Sequence, residues 1–588
     1  MSDRYASLTG GGQLRREVPV TPSIGLNRAD AASDLSPSGP YRWLKQFGLV
    51  LLCGLWVLLG LFGHDPWKPD DAISFGISYD MLTHGDWVPQ LAGTPVPERA
   101  PLFYLLAAAF ARFFGGALAL HEAARLAVAL CLALTLWLLS LTGRELYGRA
   151  FRWLPVLLFV GCVGLWDRGH LLSPELALVA AEALALYALA LALRAPAIGG
   201  LWLGLAIGLA FLGRGTLGAA LIGATALLLA FFAPWRSRYH LATLVVAAIV
   251  ALPLIAVWPA ALYLRSPGLF AQWLEAQSLA RFFGLAAGSP PVEPLYYLKN
   301  LPWFAWPALP LALWTLWIRG RGYNGSLASA GIELPVVAFL VLLVVLSGGA
   351  EPRANMALPM LLPLALLGAA EVDSLKRGYS GALDWFGILT FGLLAVLLWG
   401  LWLESVRHGM PEAVARTFRD TQPGYEPPWQ WFAVIVSGFL TVLWLVLVRP
   451  ARRSNRRAVL NWAAGTVLVW GLSATIWLPY LDSRRSYRPV AEELAAHLPA
   501  NTCVASRNLG EPQRALLEYF AGIVTLREEI QPVHGCGALI LQVGREESEI
   551  PPDSAWEKLW EGRRRGDDTE HFILFGRTGA TPALKRTS

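Results

Sequence analysis

Charge is what this 588-residue chain has least of: Asp, Glu, Lys and Arg together make up 15%, against 55% hydrophobic residues. Soluble domains usually hold about 25% charged residues, so an ordinary soluble fold is excluded over most of the length. Cysteine is sparse, five in all, and no Cys/His pair has the short spacing of a zinc site. His64, His84, His121 and His170 likewise show no ligand spacing and are assigned no metal, so no cofactor is expected, with a divalent metal left open. The formal net charge of +6 is divided among short basic clusters rather than gathered in one patch, which excludes nucleic acid as a partner. A cleavable leader is not expected: the first apolar run, about Gln46–Phe62, has no small-residue cleavage site behind it and reads as a first span.

Long Leu/Ala/Val/Trp runs fill the rest. A helix needs roughly 20 mostly apolar residues to cross a bilayer. About thirteen stretches approach that, near 46–62, 121–142, 153–167, 174–193, 199–212, 216–233, 241–262, 298–317, 333–347, 356–372, 384–402, 429–448 and 459–479. Basic clusters fall after every second stretch, among them Arg144/Arg149/Arg152, Arg236/Arg238, Lys376/Arg377 and Arg449/Arg452/Arg453. Short cytoplasmic loops collect Lys and Arg, so these loops and the N-terminus are expected inside. An odd number of crossings then exports the C-terminus. The expected class is an all-α polytopic membrane protein with about thirteen transmembrane helices and a small C-terminal α/β periplasmic domain. Residues 1–45 read as a disordered cytoplasmic tail, 46–480 as the membrane domain with a first outer loop at 63–120, and 481–588 as the outer domain. In that last segment 490–498 and 513–520 read as helices and 538–543 and 571–576 as strands. Cys503 and Cys536 both fall there and would be free to pair outside the cytoplasm, whereas Cys53, Cys131 and Cys162 sit in apolar runs as packing residues.

The first outer loop carries the chemistry. Pro69-Asp70-Asp71 opens a helix whose Ile73, Ile77 and Met81 share a face, with Gly85 as its stop; Arg99-Ala100-Pro101 opens a second. Both are too short to span and are expected to lie along the membrane surface. An Asp before a helix accepts bonds from free N–H groups and complements the dipole, but one suffices, and here there are two. Glu175, after Ser173-Pro174, adds an acid at the outer end of the fourth span, where it also suits a helix start. Glu182, deeper in that span, reads as a helix–helix hydrogen-bonding group. Arg99, Arg168, Arg214, Arg265, Arg281 and Arg353 stand singly on the outer face, against the inside-positive bias. Each alone reads as a snorkelling side chain; together they supply the planar forks that bind phosphate. Carboxylates and guanidinium groups in one cavity point to group transfer from a lipid-linked phosphate. A transporter or flippase would line a path with the same charges, but the duplicated halves of transporters are not evident.

Residues 69–106, PDDAISFGISYDMLTHGDWVPQLAGTPVPERAPLFYLL, resemble the first outer loop of the bacterial aminoarabinose-transferase and protein-O-mannosyltransferase group. Arg125-Leu126, Ser173-Pro174-Glu175, the 208–215 stretch GLAFLGRG, Arg281-Phe282, Tyr296-Tyr297 and Arg353 with Leu358-Pro359 follow in the group's order. The resemblance implies a GT-C fold in a bacterial inner membrane and an inverting glycosyltransferase using a polyprenyl-phosphate sugar donor. Its acceptor would be periplasm-facing: a lipid A-like lipid, a protein or a glycan. It also implies Asp70 and Glu175 as the catalytic carboxylates. Asp71, Glu98, Arg99, Arg168, Arg214, Arg281 and Arg353 would then be substrate-binding. Departures are conservative in charge (Asp71 for Glu, Arg99 and Arg214 for Lys, Glu175 for Asp), but Ile73-Ser74 replaces the usual Arg-Tyr. Those changes near Asp70 keep an inactive binding relative of the fold as an alternative.

Overall fold

The structure, a computed structural model, describes residues 42–286, 288–407, 416, 425, 428–449, 454–499, 502–530, 535–544, 555–565, 567 and 569–577. The expected N-terminal tail lies outside the described residues up to position 41; from Arg42 the chain is already helical, in α1 (Arg42–Leu58). The first loop contributes α2 (Asp70–His84), a two-stranded hairpin of β1 (Gln90–Leu91) and β2 (Thr94–Pro95), and α3 (Leu102–Phe114). The short α4 (Leu120–Ala124) leads into α5 (Leu126–Tyr147), which Gly148 ends at φ 93°. Then come α6 (Leu154–Val160), α7 (Glu175–Ala192) and α8 (Pro196–Arg214). Pro174 precedes α7 and Pro196 opens α8, where a missing N–H costs nothing.

Among the described residues six helices are long and apolar enough to cross a membrane, or eight if each of two bent pairs is one span. Apolar helices of unequal length occupy much of the expected stretches, but fewer than thirteen have the length of a span. That at 298–317 is two helices, Tyr296–Phe304 and Ala308–Gly320, bent by 99° where Pro307 removes a backbone donor. That at 153–167 is not a continuous helix. It breaks after α6 at Gly161, against which Trp462 packs and to whose carbonyl the Trp462 indole donates at 2.9 Å. Close helix packing elsewhere depends on small residues. A Cβ at Gly200 or Gly204 would meet the carbonyl of Thr243 or Ala247 at 2.6 and 2.5 Å, so α8 lies directly on the Arg238–Arg265 helix. Glu182 is buried in α7 with its Oε2 unpartnered among the described residues, so the expected interhelical hydrogen bond at that atom is not made.

The C-terminal segment is an α/β unit. Its sheet has the order β4-β3-β5-β7-β6, with β3 (Val504–Arg507) parallel to both β4 (Leu526–Arg527) and β5 (Ala538–Gly544). β7 (Glu570–Arg577) runs antiparallel to β5 and to β6 (Trp556–Gly562), and Ile540 pairs with Leu574 at its centre. Helices Arg488–His497 and Glu511–Ala521 cover one face through Val490, Leu494, Leu516 and Leu517. Cys503 and Cys536 form a disulfide.

This unit sits on the first loop. Ala72 of α2 belongs to its apolar core, and a Cβ on Gly76 would lie 2.5 Å from that of Ala515, so α2 and the Glu511–Ala521 helix touch backbone to backbone. α2 is accordingly not the one-sided surface helix expected from Ile73, Ile77 and Met81: Ala72, Ser74, Phe75, Gly76 and Ser78 are buried as well. A helix sandwiched between two bodies has no free face. α3 keeps the expected asymmetry, burying Phe103, Ala107 and Ala111 and exposing Leu105, Phe113 and Phe114.

Candidate functional site

A cavity of about 1030 Å³ opens where the first loop, the loop before α7, the 352–355 segment and the C-terminal domain meet. Asp70 lies on its wall, the first residue of α2 after Pro69. Its Oδ2 accepts from the Asn355 side chain. Burial, then the charge of Glu175, raises the Asp70 pKa above the usual carboxylate range, against the opposing pull of Arg353 and Arg99. Around it stand Lys68, Arg99, Arg168, Arg353, Arg484, Arg485 and Arg564, with Asp167 and Glu511 as the other acids.

The neighbouring Asp71 is different. It is wholly buried, and its two oxygens accept from Arg125 at 2.7 Å, Trp67 N–H at 3.0 Å and Leu172 N–H at 2.9 Å. Arg125, equally buried, also donates to the His64 and Asp65 carbonyls at 2.8 and 2.9 Å. Burial works against ionisation of Asp71, yet Arg125, His64 and the Leu172 N–H together outweigh it and hold the carboxyl below its usual range. The structure thus gives Asp71 to the scaffold and not to the cavity: it ties the 64–71 turn to α4 and α5 and so aims Asp70.

Glu175 is also buried, taking a bond from Ser173 and facing Arg214 Nε at 3.5 Å. It does not line the cavity but acts on Asp70 from behind. Arg214 ends α8 at Gly215, whose φ of 73° turns the chain towards Gln277; Gln277 accepts from Thr216 and donates to the Glu98 carbonyl at 3.3 Å. Glu98 itself is exposed, while Arg99 reaches the cavity and pairs with Glu511 at 3.2 Å. Arg168 and Arg353 line it half-exposed, beside Asp167 at 3.4 Å and Glu351 at 3.0 Å. Arg281 is exposed on a four-residue helix (Leu279–Phe282) away from the lining. Of the predicted residues the fold therefore gathers Asp70, Arg99, Arg168 and Arg353 at the cavity, with Glu175 and Arg214 behind them.

Sequence reasoning missed Lys68, Asn355, Arg484, Arg485, Glu511 and Arg564. Lys68 adjoins Pro69-Asp70-Asp71 and was visible there; Arg485 follows the last span and stacks over Trp67 at 4.6 Å. Glu511 and Arg564 carry no local signal, because only the docking of the C-terminal domain brings them here. The Gly85-Asp86-Trp87 element braces the loop: Asp86 pairs with Arg265 at 2.7 Å and Trp87 meets Trp258 edge-on.

The chain is similar in sequence and fold to known proteins. The profile of the dolichyl-phosphate-mannose-protein mannosyltransferase family matches residues 98–261. An undecaprenyl phosphate-alpha-4-amino-4-deoxy-L-arabinose arabinosyl transferase of Pseudomonas aeruginosa (strain UCBPP-PA14) is 31% identical over 448 residues, 73% of this chain and 74% of its own. The chain belongs to the aminoarabinose-transferase family. It is a membrane glycosyltransferase. The homologue of Aeromonas salmonicida is 27% identical over 60% of this chain and 66% of its own. In fold, the transferase is similar to ArnT from Cupriavidus metallidurans bound to undecaprenyl phosphate, with a TM-score of 0.64 and 16% identity, covering 91% of this chain and 98% of that one. The apo form of the same protein gives 0.60 at 18% identity over 90% and 97%.

Proposed function

We propose that this transferase moves a sugar from a polyprenyl-phosphate donor to a lipid acceptor at the outer face of a bacterial inner membrane. What carries the reading is the pairing of a half-buried Asp70, its pKa raised, with a ring of guanidinium groups on one cavity wall. In the proposed reaction the acceptor's nucleophilic atom attacks the anomeric carbon while its proton passes to Asp70. The bond from that carbon to the phosphate oxygen breaks, the electron pair leaves with polyprenyl phosphate, and the sugar inverts. Arg353, Arg168 and Arg99 offset the charge the phosphate gains, and Glu175 keeps Asp70 basic. The lipid character of the donor is supported by the relatives whose names or bound ligands include undecaprenyl phosphate.

The same proposal includes an N-terminus inside, about thirteen crossings and a periplasmic C-terminal domain. The basic clusters on alternate loops and the Cys503–Cys536 disulfide, which suits an oxidising compartment, support it. The test is transfer of labelled sugar from a synthetic undecaprenyl-phosphate donor to lipid A by purified protein. Asp70→Asn is expected to lower the rate by about 10²–10⁴, the range for a general base. An unchanged rate would remove Asp70 from the chemistry.

A further inference from the structure

A second cluster of ionisable side chains is buried away from the cavity, in the seam between α2 and the Glu511–Ala521 helix. Asp80 and His84 stand one helical turn apart on α2, with His84 Nδ1 2.7 Å from Asp80 Oδ1. Glu518 faces them from the opposing helix, and one donor atom from each of the three lies within 4.8 Å of the others. Asp80 is 2% exposed and Glu518 6%, while His84 sits at the exposed rim. The hairpin between β1 and β2 satisfies part of the acceptor capacity: Gly93 N–H donates to Asp80 Oδ2 at 3.2 Å, and Ala92 N–H to Glu518. Glu518 Oε2 is buried with no hydrogen-bond partner among the described residues. The nearby guanidinium of Arg514 is turned to the Leu91 carbonyl and Thr94 Oγ1, at 3.1 and 2.8 Å. Two buried carboxylates thus face each other across the seam with His84 at its rim, a costly arrangement unless a cation joins them. Burial and the Asp80 charge push the Glu518 pKa up to about 7.

We propose that Asp80, His84 and Glu518 bind a divalent transition ion, zinc being the best match, which fastens the C-terminal domain to the first loop. The donor set decides the metal class: an imidazole with two carboxylates suits zinc, whereas magnesium and calcium prefer oxygen alone. The spacing of Asp80 and His84 puts two ligands on one helix face, and the exposed rim at His84 leaves room for ion entry and a water ligand. None of the three lines the reaction cavity, so the site goes beyond the catalytic reading and stands independently of it.

The test uses the full chain, purified in detergent, stripped with a chelator and re-equilibrated with Zn²⁺. Elemental analysis is expected to give about one retained zinc per chain, with a Tm that rises on loading, since metal binding to the folded state stabilises it. His84→Ala and Glu518→Gln each lose that equivalent and the Tm rise, while Asp70→Asn and Glu98→Gln keep both. His84 is at the surface, so its variant stays informative even if Glu518→Gln misfolds. Substituted Co²⁺ gives a visible absorption band that His84→Ala shifts or removes. Zinc retained by both seam variants, zinc absent from the wild type, or zinc lost from Asp70→Asn but kept by His84→Ala would each overturn the proposal.

Discussion

Asp70 and Asp71 are adjacent, chemically identical and opposite in use. The backbone of α2 turns one carboxylate to the cavity and the other into Arg125, and desolvation then works on them with different partners. For Asp71, the ionised form is stabilised in the fold, so its contribution is present above the unfolded pKa and fades as pH falls through the depressed folded value. Asp71→Asn leaves Arg125 buried and uncompensated, a loss of about 3–5 kcal/mol, measurable as a lower midpoint in chemical denaturation. Asp70 behaves in the opposite sense: its raised pKa places the acid limb of the transfer-rate profile at higher pH than an ordinary aspartate would, and Glu175→Gln, by removing a repelling charge, shifts that limb down. Glu518 gives a third signature. Its folded pKa of about 7 lies above the ordinary 4.5, so the folded state holds the proton more tightly and stability falls as pH rises between those values. In chelated protein Glu518→Gln is expected to melt progressively higher than wild type as pH rises from 4.5 to about 7, the two pKa values that bound the window. The two aspartates were legible as a pair in the sequence, but not their division of labour, because only Arg125, from another helix, distinguishes them.

At the scale of elements, the seam between α2 and the Glu511–Ala521 helix governs how the site is closed. Hydrophobic spacing predicted a surface helix; burial of its remaining faces comes from a domain more than 400 residues later in the chain, as in the Arg514 bond to Leu91 across 423 positions. Gly76 is where the two helices approach most closely, and Gly76→Val has nowhere to put its side chain. Overpacking of this kind costs about 1–3 kcal/mol, and limited proteolysis should release the C-terminal domain from the variant faster than from wild type. Spans show the same limit. Apolar length marked where apolar helices lie, yet the bend at Pro307 and the break at Gly161 depend on what packs there, as Trp462 from a helix far along the chain does at Gly161.

For the whole molecule, the C-terminal domain is a wall of the cavity and not an appendage, since Glu511 and Arg564 line it and Arg99 pairs with Glu511. Arg564→Ala is therefore expected to raise KM for the polyprenyl-phosphate donor several-fold with a smaller change in kcat, read from steady-state transfer assays. The Cys503–Cys536 bridge closes a loop of 33 residues, worth about 3–4 kcal/mol by loop-closure entropy. Reduction or Cys503→Ser should lower the melting temperature of this domain and weaken transfer with it.

Composition and hydropathy by themselves determined that the chain is a polytopic membrane protein, because apolar length is a local property that no later packing reverses. The first-loop motif identified the kind of enzyme for the same reason: its residues are close together in sequence. Which charges meet was decided only in three dimensions. Asp70 with Arg353 and Arg564, Asp71 with Arg125, and Asp80 with Glu518 join segments separated by tens to hundreds of residues. A carboxylate's role follows from its desolvation and its partner, and neither exists until the chain has folded.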